Sequence, residues 1–147
     1  MQRKIYQKLL DWKNKINRKP LILEGARQVG KTWLMQELGK NEYKNCVYIN
    51  FDRESWAKNL FEQDYDINRI LLQLQAQSNQ RIIPGETLII FDELQEAPRG
   101  LSVLKYFYEE APEHHIVVAG SLLGITLHQG ESFPVGKVDV MQVKPLT

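Results

Sequence analysis

The sequence predicts an α/β fold, a three-layer sandwich in which helices cover both faces of a parallel sheet. Short apolar segments at residues 21–23, 46–51, 87–91 and 116–119 alternate with segments whose apolar residues recur at helical spacing. The segments at 87–91 and 116–119 are almost continuously apolar, which is typical of strands buried on both faces. Strands of this kind that alternate with helices indicate a parallel sheet.

The same reasoning predicts the remaining elements of the fold. A last strand is expected at residues 137–143, and Asp66 is placed to cap a helix that begins at Ile67. Pro98 is expected in the first turn of a later helix, where its missing N–H does no harm. Helices that follow the first strand are predicted at residues 31–40, 55–62, 67–74 and 98–110.

Length and composition favour a single globular domain. The chain has 147 residues, of which 43% are hydrophobic and 25% are charged, and this excludes a disordered, collagen-like or coiled-coil protein. The single cysteine, Cys46, excludes an intrachain disulfide and a multi-cysteine zinc site, so we expect a cytoplasmic protein. The longest nearly apolar stretch, residues 116–125, is shorter than the roughly 20 residues that span a bilayer, so no membrane partner is expected.

The first 20 residues are strongly basic, with seven Lys or Arg side chains and one acid. Such a segment can neutralise phosphates, so a nucleic-acid partner is one interpretation. We favour a second interpretation, in which residues 1–19 form an amphipathic helix that packs on the core and exposes its lysines. Four apolar residues recur at spacings of four, three and four and define its buried face: Ile5, Leu9, Trp12 and Ile16.

A phosphate-binding loop is predicted between the first strand and the following helix. Residues 25–32 read G-A-R-Q-V-G-K-T, which matches the pattern G-x-x-x-x-G-K-T, with its two glycines at positions 25 and 30. The two glycines permit backbone angles that turn consecutive N–H groups toward a phosphate, and the helix directs its N-terminal N–H groups at the same anion. In this pattern the lysine reaches the β- and γ-phosphates, and the threonine hydroxyl binds Mg²⁺. The nucleotide-binding residues are therefore predicted to be Gly25, Ala26, Arg27, Gln28, Val29, Gly30, Lys31, Thr32 and Trp33, with Lys31 also catalytic.

Two acids follow the strand at residues 87–91, at its carboxyl end, where α/β sheets place groups that bind ligands. Asp92 is predicted to hold Mg²⁺ together with Thr32. Glu93 is predicted to be the catalytic base that orients and deprotonates the attacking water. The sequence therefore predicts Thr32 and Asp92 as the metal site and Glu93 as a catalytic residue.

The strand at residues 116–119 runs into Gly120 and Ser121. If this strand lies beside the one that precedes the phosphate loop, Ser121 projects toward the γ-phosphate and is a third catalytic candidate. The alternative is a serine that caps the following turn.

Several other conspicuous side chains are interpreted as structural. His114 and His115 begin a strand without an acid or thiol cluster nearby, so we expect no metal there. Cys46 is expected to be a small core residue. Four aromatic residues are expected to serve packing in preference to base stacking: Trp33, Trp56, Phe61 and Tyr65.

With these motifs in place, the chain resembles the AAA-type ATPases of bacteria and archaea whose P-loop reads G-A-R-Q-V-G-K-T. The resemblance extends over nearly the whole chain, through residues 19–32, 48–51, 87–95, 119–123 and 133–138. It implies a P-loop NTPase sheet of five strands in the order 5-1-4-3-2. It also implies that the Ser121 strand lies between the P-loop strand and the Asp92 strand, and that Ser121 is the sensor residue.

The resemblance further implies a longer protein. Members of this ATPase family continue into a helical lid and a C-terminal domain. We therefore interpret residues 1–19 as the basic helix and 20–147 as an ATPase core truncated before that lid. Related sites borrow a cationic finger, often from a neighbouring subunit, which implies a homo-oligomer. The candidates for that cation are Arg53, Arg69, Arg99 and Lys137. Lys137 is of most interest, because the pair Gly136-Lys137 resembles a Gly-Arg pair of related ATPases, and the alternative is an ordinary surface lysine.

The expected function is ATP binding and Mg²⁺-dependent ATP hydrolysis that drives an unidentified partner or a DNA-related process. One alternative is a nucleotide-gated interaction module with little turnover. A P-loop kinase for a small acceptor is a second, and the Asp92-Glu93 pair argues against it, because a kinase must keep water away from the phosphate.

Overall fold

A computed structural model describes residues 2–25, 30–120 and 134–143. The helices are α1 (Gln2–Lys13), α2 (Lys31–Glu42), α3 (Ser55–Leu60), α4 (Ile67–Ser78) and α5 (Gly100–Glu110). The strands are β1 (Leu21–Glu24), β2 (Asn45–Asn50), β3 (Thr87–Asp92), β4 (His115–Ala119) and β5 (Asp139–Gln142). Within the described ranges, no helix has the length and apolar character needed to cross a membrane.

The strands form one five-stranded sheet in the order β2-β3-β4-β1-β5, and every neighbouring pair is parallel. This confirms the predicted α/β class and the predicted strand order. All five carboxyl ends therefore lie at the same edge of the sheet. The register pairs Asn50 with Asp92 and Leu23 with Ala119, so the last residues of the strands are level at that edge.

Alternate residues of β1, β2, β3 and β4 contribute to two separate hydrophobic cores, as the two-residue period of a strand requires. On one face, Ile22, Ile89 and Val118 pack against apolar residues of α3, α4 and α5. On the other face, Leu23 and Ile90 pack against apolar residues of α1 and α2. The sheet is thus covered on both sides, which explains the almost continuously apolar strands β3 and β4.

Helix α1 packs on the sheet through Leu9 and Trp12, but it ends earlier than its apolar spacing predicts. The expectation that Ile16 shares this buried face is wrong, because the helix ends at Lys13 and Ile16 is 97% exposed. The chain turns back instead, and the Trp12 indole donates a hydrogen bond to the carbonyl of Lys19 at 2.7 Å. A tertiary bond thus replaces the last turn of the predicted helix.

Helix α5 begins at Gly100, two residues later than predicted from Pro98. Residues 94–96 form a short 3-10 helix three residues before it, and the Gly100 N–H donates to the carbonyl of Ala97. Gly100 lies against Leu94 so closely that a Cβ atom would come within 2.6 Å of Leu94 Cγ. This contact fixes the turn that leads away from β3.

His115 is buried at the amino end of β4, with 7% of its surface exposed. Its Nδ1 lies 2.6 Å from the Tyr43 hydroxyl, and the Trp12 ring meets it edge-on at 6.0 Å between centroids. Burial, together with the positive charges of Arg18 and Lys13, lowers the pKa of His115 to about 4. The imidazole of the folded protein is therefore neutral at pH 7.

We predict that the protein loses stability as the pH is lowered from about 6.5 to about 4. Unfolded His115 binds a proton near its ordinary pKa of about 6.5, whereas the folded protein resists protonation until about pH 4, so acid favours unfolding. The contribution of this group is about 2 kcal/mol, measurable by urea unfolding at pH 7 and pH 4.5. The His115→Gln variant should show a shallower pH dependence; identical slopes for variant and wild type would contradict the assignment.

Candidate nucleotide and metal site

The carboxylate of Asp92 lies at the centre of the site, at the end of β3, and is 3% exposed. Its Oδ2 accepts two short hydrogen bonds, from the Thr32 hydroxyl and from the Tyr48 hydroxyl, each at 2.6 Å. Its Oδ1 accepts from the backbone N–H of Glu93 at 3.0 Å. Three donors therefore fix a buried carboxylate beside the first turn of α2.

The start of α2 has the geometry that a phosphate-binding helix requires. Gly30 is the N-cap residue and adopts a left-handed conformation with φ of 83°, which a side chain would disfavour. The Lys31 ammonium bonds the carbonyl of Gly25 at 2.7 Å, on the other side of the loop. The N–H groups of the first turn, the helix dipole and this ammonium all contribute positive charge at the start of α2.

Part of the predicted P-loop lies outside the described residues, namely Ala26, Arg27, Gln28 and Val29. Ser121 lies outside them as well, so its assignment stays a prediction. The structure does place β4, which precedes Ser121, between β1 and β3 as the resemblance implies.

Trp33 follows Thr32 on α2 and is 53% exposed, in contrast to the packing role expected for it. Its indole lines a groove of about 340 Å³ between α1 and α2, with Tyr6 and Leu34 among the neighbouring residues. The other three aromatic residues expected to serve packing do so. Phe61 is buried in the core, and Trp56 and Tyr65 are partly buried and pack against that core.

Glu93 has a strained backbone. It adopts a left-handed conformation with φ of 56°, which costs a residue other than glycine on the order of 1–3 kcal/mol. Its carboxylate is half-buried and accepts a hydrogen bond from the Gln95 amide at 2.9 Å. Backbone strain of this kind is concentrated at functional sites, because the surrounding structure must hold it in place.

The end of β4 closes the site from the other side. Gly120 lies so near the turn after β3 that a Cβ atom would come within 3.3 Å of the Leu94 backbone nitrogen and 2.7 Å of Gln95 Oε1. A glycine therefore permits the close approach of the two strand ends that carry Asp92 and precede Ser121.

Two residues of the site, Tyr48 and Asn50, were not among those predicted from the sequence. Asn50 Oδ1 accepts from the backbone N–H groups of Asp52 and Arg53, at 2.9 and 3.1 Å, and this stabilises the turn after β2. Burial, followed by the hydrogen bond to Asp92, raises the pKa of Tyr48 to about 12. The available sequence signal was two polar residues at alternate positions near the end of a strand.

A divalent metal site made of oxygen ligands fits the residues present. Among the described residues, no group of three or more His, Cys, Asp or Glu side chains could hold a metal. The Thr32 hydroxyl and the Asp92 carboxylate are both oxygen ligands, 2.6 Å apart. Mg²⁺ prefers oxygen, retains several waters and binds through one or two carboxylates plus substrate phosphates, so this pair suits Mg²⁺.

The four candidate cations differ in their surroundings. Arg53 is exposed, lies in the turn after β2 at the carboxyl edge of the sheet, and forms no ion pair with any described residue. The other three each pair with a nearby carboxylate: Arg69 with Asp64 at 2.8 Å, Arg99 with Glu62 at 3.5 Å and Lys137 with Glu109 at 3.2 Å.

Comparisons with known proteins bear on the fold and on the family of the chain. The solved structure of C. elegans PCH-2 is similar to the chain with a TM-score of 0.54 and 15% sequence identity, over 99% of this chain. The chain spans 42% of the length of that structure, and at this identity the likeness concerns the fold. No curated protein matches the sequence. The family described as AAA domain matches residues 17–147, and the chain therefore belongs to the AAA domain family.

Proposed function

We propose that the chain binds ATP and hydrolyses it to ADP and phosphate in a Mg²⁺-dependent reaction. The observation that carries this proposal is the 2.6 Å hydrogen bond between Thr32, at the start of α2, and Asp92, at the end of β3. The two residues are 60 positions apart, and the fold brings together the hydroxyl and the carboxylate that a nucleotide-bound Mg²⁺ requires. Membership of the AAA domain family supports nucleotide binding and an ATPase-like role.

Each residue has a distinct part in the proposed reaction. Bound Mg²⁺ would neutralise phosphate charge, and Thr32 and Asp92 would hold it. Lys31 would exchange the carbonyl of Gly25 for phosphate oxygens, because an ammonium interacts more strongly with an anion than with a neutral carbonyl. The exposed ring of Trp33 offers a surface for the nucleotide base beside the P-loop.

Glu93 is the proposed base. Its strained backbone and the hydrogen bond from Gln95 hold the carboxylate just beyond Asp92 at the carboxyl edge of the sheet. A carboxylate in that place can orient a water for attack on the γ-phosphate and accept its proton. Ser121 remains the proposed sensor of the γ-phosphate.

Arg53 is our preferred candidate for the cationic finger, acting in a second copy of the chain. It is exposed, it forms no ion pair with a described residue, and a hydrogen bond from its backbone N–H to Asn50 Oδ1 orders the turn that carries it.

The nucleotide-gated interaction module stays the second candidate function, and weak turnover even in an assembled state would favour it.

We predict that Lys31→Ala reduces ATP affinity at least tenfold without unfolding the protein. The ammonium neutralises phosphate charge and contacts a loop carbonyl, so its removal deprives no hydrophobic core of packing. Calorimetric titration with ATP and Mg²⁺ measures the loss. Lys40→Ala provides the matched control, because Lys40 is an exposed lysine near the other end of the same helix. Unchanged affinity in a folded Lys31→Ala protein would refute the proposed binding site.

A second prediction separates binding from chemistry. Glu93→Gln retains the size and polarity of the side chain but removes its basicity, so turnover should fall by about 10²–10⁴-fold while ATP and Mg²⁺ still bind. Asp92→Asn, in contrast, should lower turnover and reduce the gain in ATP affinity that Mg²⁺ provides, because it alters a proposed metal ligand. Glu96→Gln is the control, because Glu96 is an exposed carboxylate three residues away. Wild-type turnover in Glu93→Gln would exclude Glu93 as the base and favour the interaction module.

A third prediction concerns the finger. Arg53→Ala should lower turnover at least tenfold at protein concentrations where the wild type assembles, since such residues are worth roughly 10³–10⁵ in related reactions. Arg81→Ala, an exposed arginine that precedes β3 at the opposite edge of the sheet, should not. Mixing Arg53→Ala with Glu93→Gln should restore activity, because each supplies what the other lacks. Failure of the mixture to recover activity would contradict action in trans.

A further inference from the structure

Tyr48 is the one close neighbour of Asp92 in the described site to which the proposed reaction gives no role. Its hydroxyl donates to Asp92 Oδ2 at 2.6 Å, and the Asn50 side-chain amide donates to that hydroxyl at 3.4 Å. Tyr48 pairs with Ile90 in the sheet register, two residues before Asp92, so it reaches the carboxylate diagonally across neighbouring strands. The bond therefore joins β2 to the end of β3.

The hydrogen bonds at Asp92 Oδ2 explain what Tyr48 can contribute. A carboxylate oxygen has two lone pairs, and Thr32 and Tyr48 each occupy one of them at 2.6 Å. The Thr32 hydroxyl is expected to bind the metal, so its hydrogen bond to Asp92 is expected to rearrange when Mg²⁺ and nucleotide bind. Tyr48 carries no such second role, and its bond can hold the carboxylate in one orientation throughout.

We propose that Tyr48 is a positioning residue that fixes the Asp92 carboxylate for the divalent cation and so sets the affinity of the nucleotide site for Mg²⁺. This inference rests on the proposed function, because it concerns the same metal site. Partners that orient a metal-binding carboxylate typically change metal affinity by about 10–100-fold when they are removed. The effect should appear in metal binding and not in the metal-free contacts between the P-loop and phosphate.

The chain offers a matched control in Tyr43. Its hydroxyl also makes a 2.6 Å hydrogen bond to a buried partner, His115, which begins β4 at the opposite edge of the sheet. Tyr43→Phe and Tyr48→Phe therefore remove the same atom from hydrogen bonds of equal length, one to an imidazole nitrogen away from the proposed site and one to a carboxylate within it. A general loss of stability would affect both variants, whereas a change in Mg²⁺ affinity is expected for Tyr48→Phe alone.

The experiment measures ATP affinity by calorimetry in EDTA and at increasing Mg²⁺ concentration. Tyr48→Phe should match the wild type in EDTA but need about 10–100-fold more Mg²⁺ to reach the same gain in affinity. Tyr43→Phe should follow the wild-type Mg²⁺ curve. A wild-type Mg²⁺ curve for Tyr48→Phe, or an equal loss of affinity in EDTA, would overturn the proposal. Absence of ATP binding by the wild type would instead refute the proposed function itself.

Two further variants keep the proposal testable whatever the stability of Tyr48→Phe. Tyr48→Gln has a side chain too short to place its amide where the hydroxyl lies, so it should need as much extra Mg²⁺ as Tyr48→Phe; a wild-type requirement would overturn the proposal. In an Asp92→Asn background, adding Tyr48→Phe should change the Mg²⁺ requirement little, because Tyr48 acts through the carboxylate. A full additional effect in that background would show that Tyr48 acts by another route.

Discussion

The hydrogen bond between Thr32 and Asp92 is the contact on which the site depends. Thr32 belongs to the helix after β1 and Asp92 ends β3, and β4 lies between those strands. The 2.6 Å distance therefore requires the predicted strand order, a parallel register that brings the strand ends level, and a helix that starts directly at the sheet edge. A slip of one residue in β3 would turn Asp92 to the other face of the sheet.

The same arrangement combines two unfavourable features near one point, a buried carboxylate and a strained Glu93 backbone. Burying a charge is costly unless hydrogen bonds compensate, and here hydroxyls from α2 and β2 and a backbone N–H supply them. The two cores on opposite faces of the sheet hold those elements in place. The packing of these two cores thus stabilises a local geometry at Asp92 and Glu93 that an isolated peptide would not adopt.

Most of the fold and part of the candidate site could be predicted from the sequence, because the residues that signal them are close together in the chain. The apolar run of β3 and the acids after it are adjacent in the chain, as are Gly30, Lys31 and Thr32. Tyr48 could not be assigned in this way, because its role depends on strand pairing and on a diagonal reach between strands. Ile16 was misplaced since a tertiary bond from Trp12 ends the helix before its periodicity does. The left-handed backbone of Glu93 also has no local signal in the sequence, since such a conformation is rare for residues other than glycine.

A crystal structure of the chain with Mg²⁺ and a non-hydrolysable ATP analogue would show whether Thr32 and Asp92 hold the metal of a bound nucleotide. We expect a metal about 2.0–2.1 Å from Thr32 Oγ1, with the Asp92 carboxylate joined to it directly or through one water. We also expect the γ-phosphate between Lys31 and Glu93. A nucleotide bound elsewhere on the chain, or a metal held by neither Thr32 nor Asp92, would contradict the proposed site.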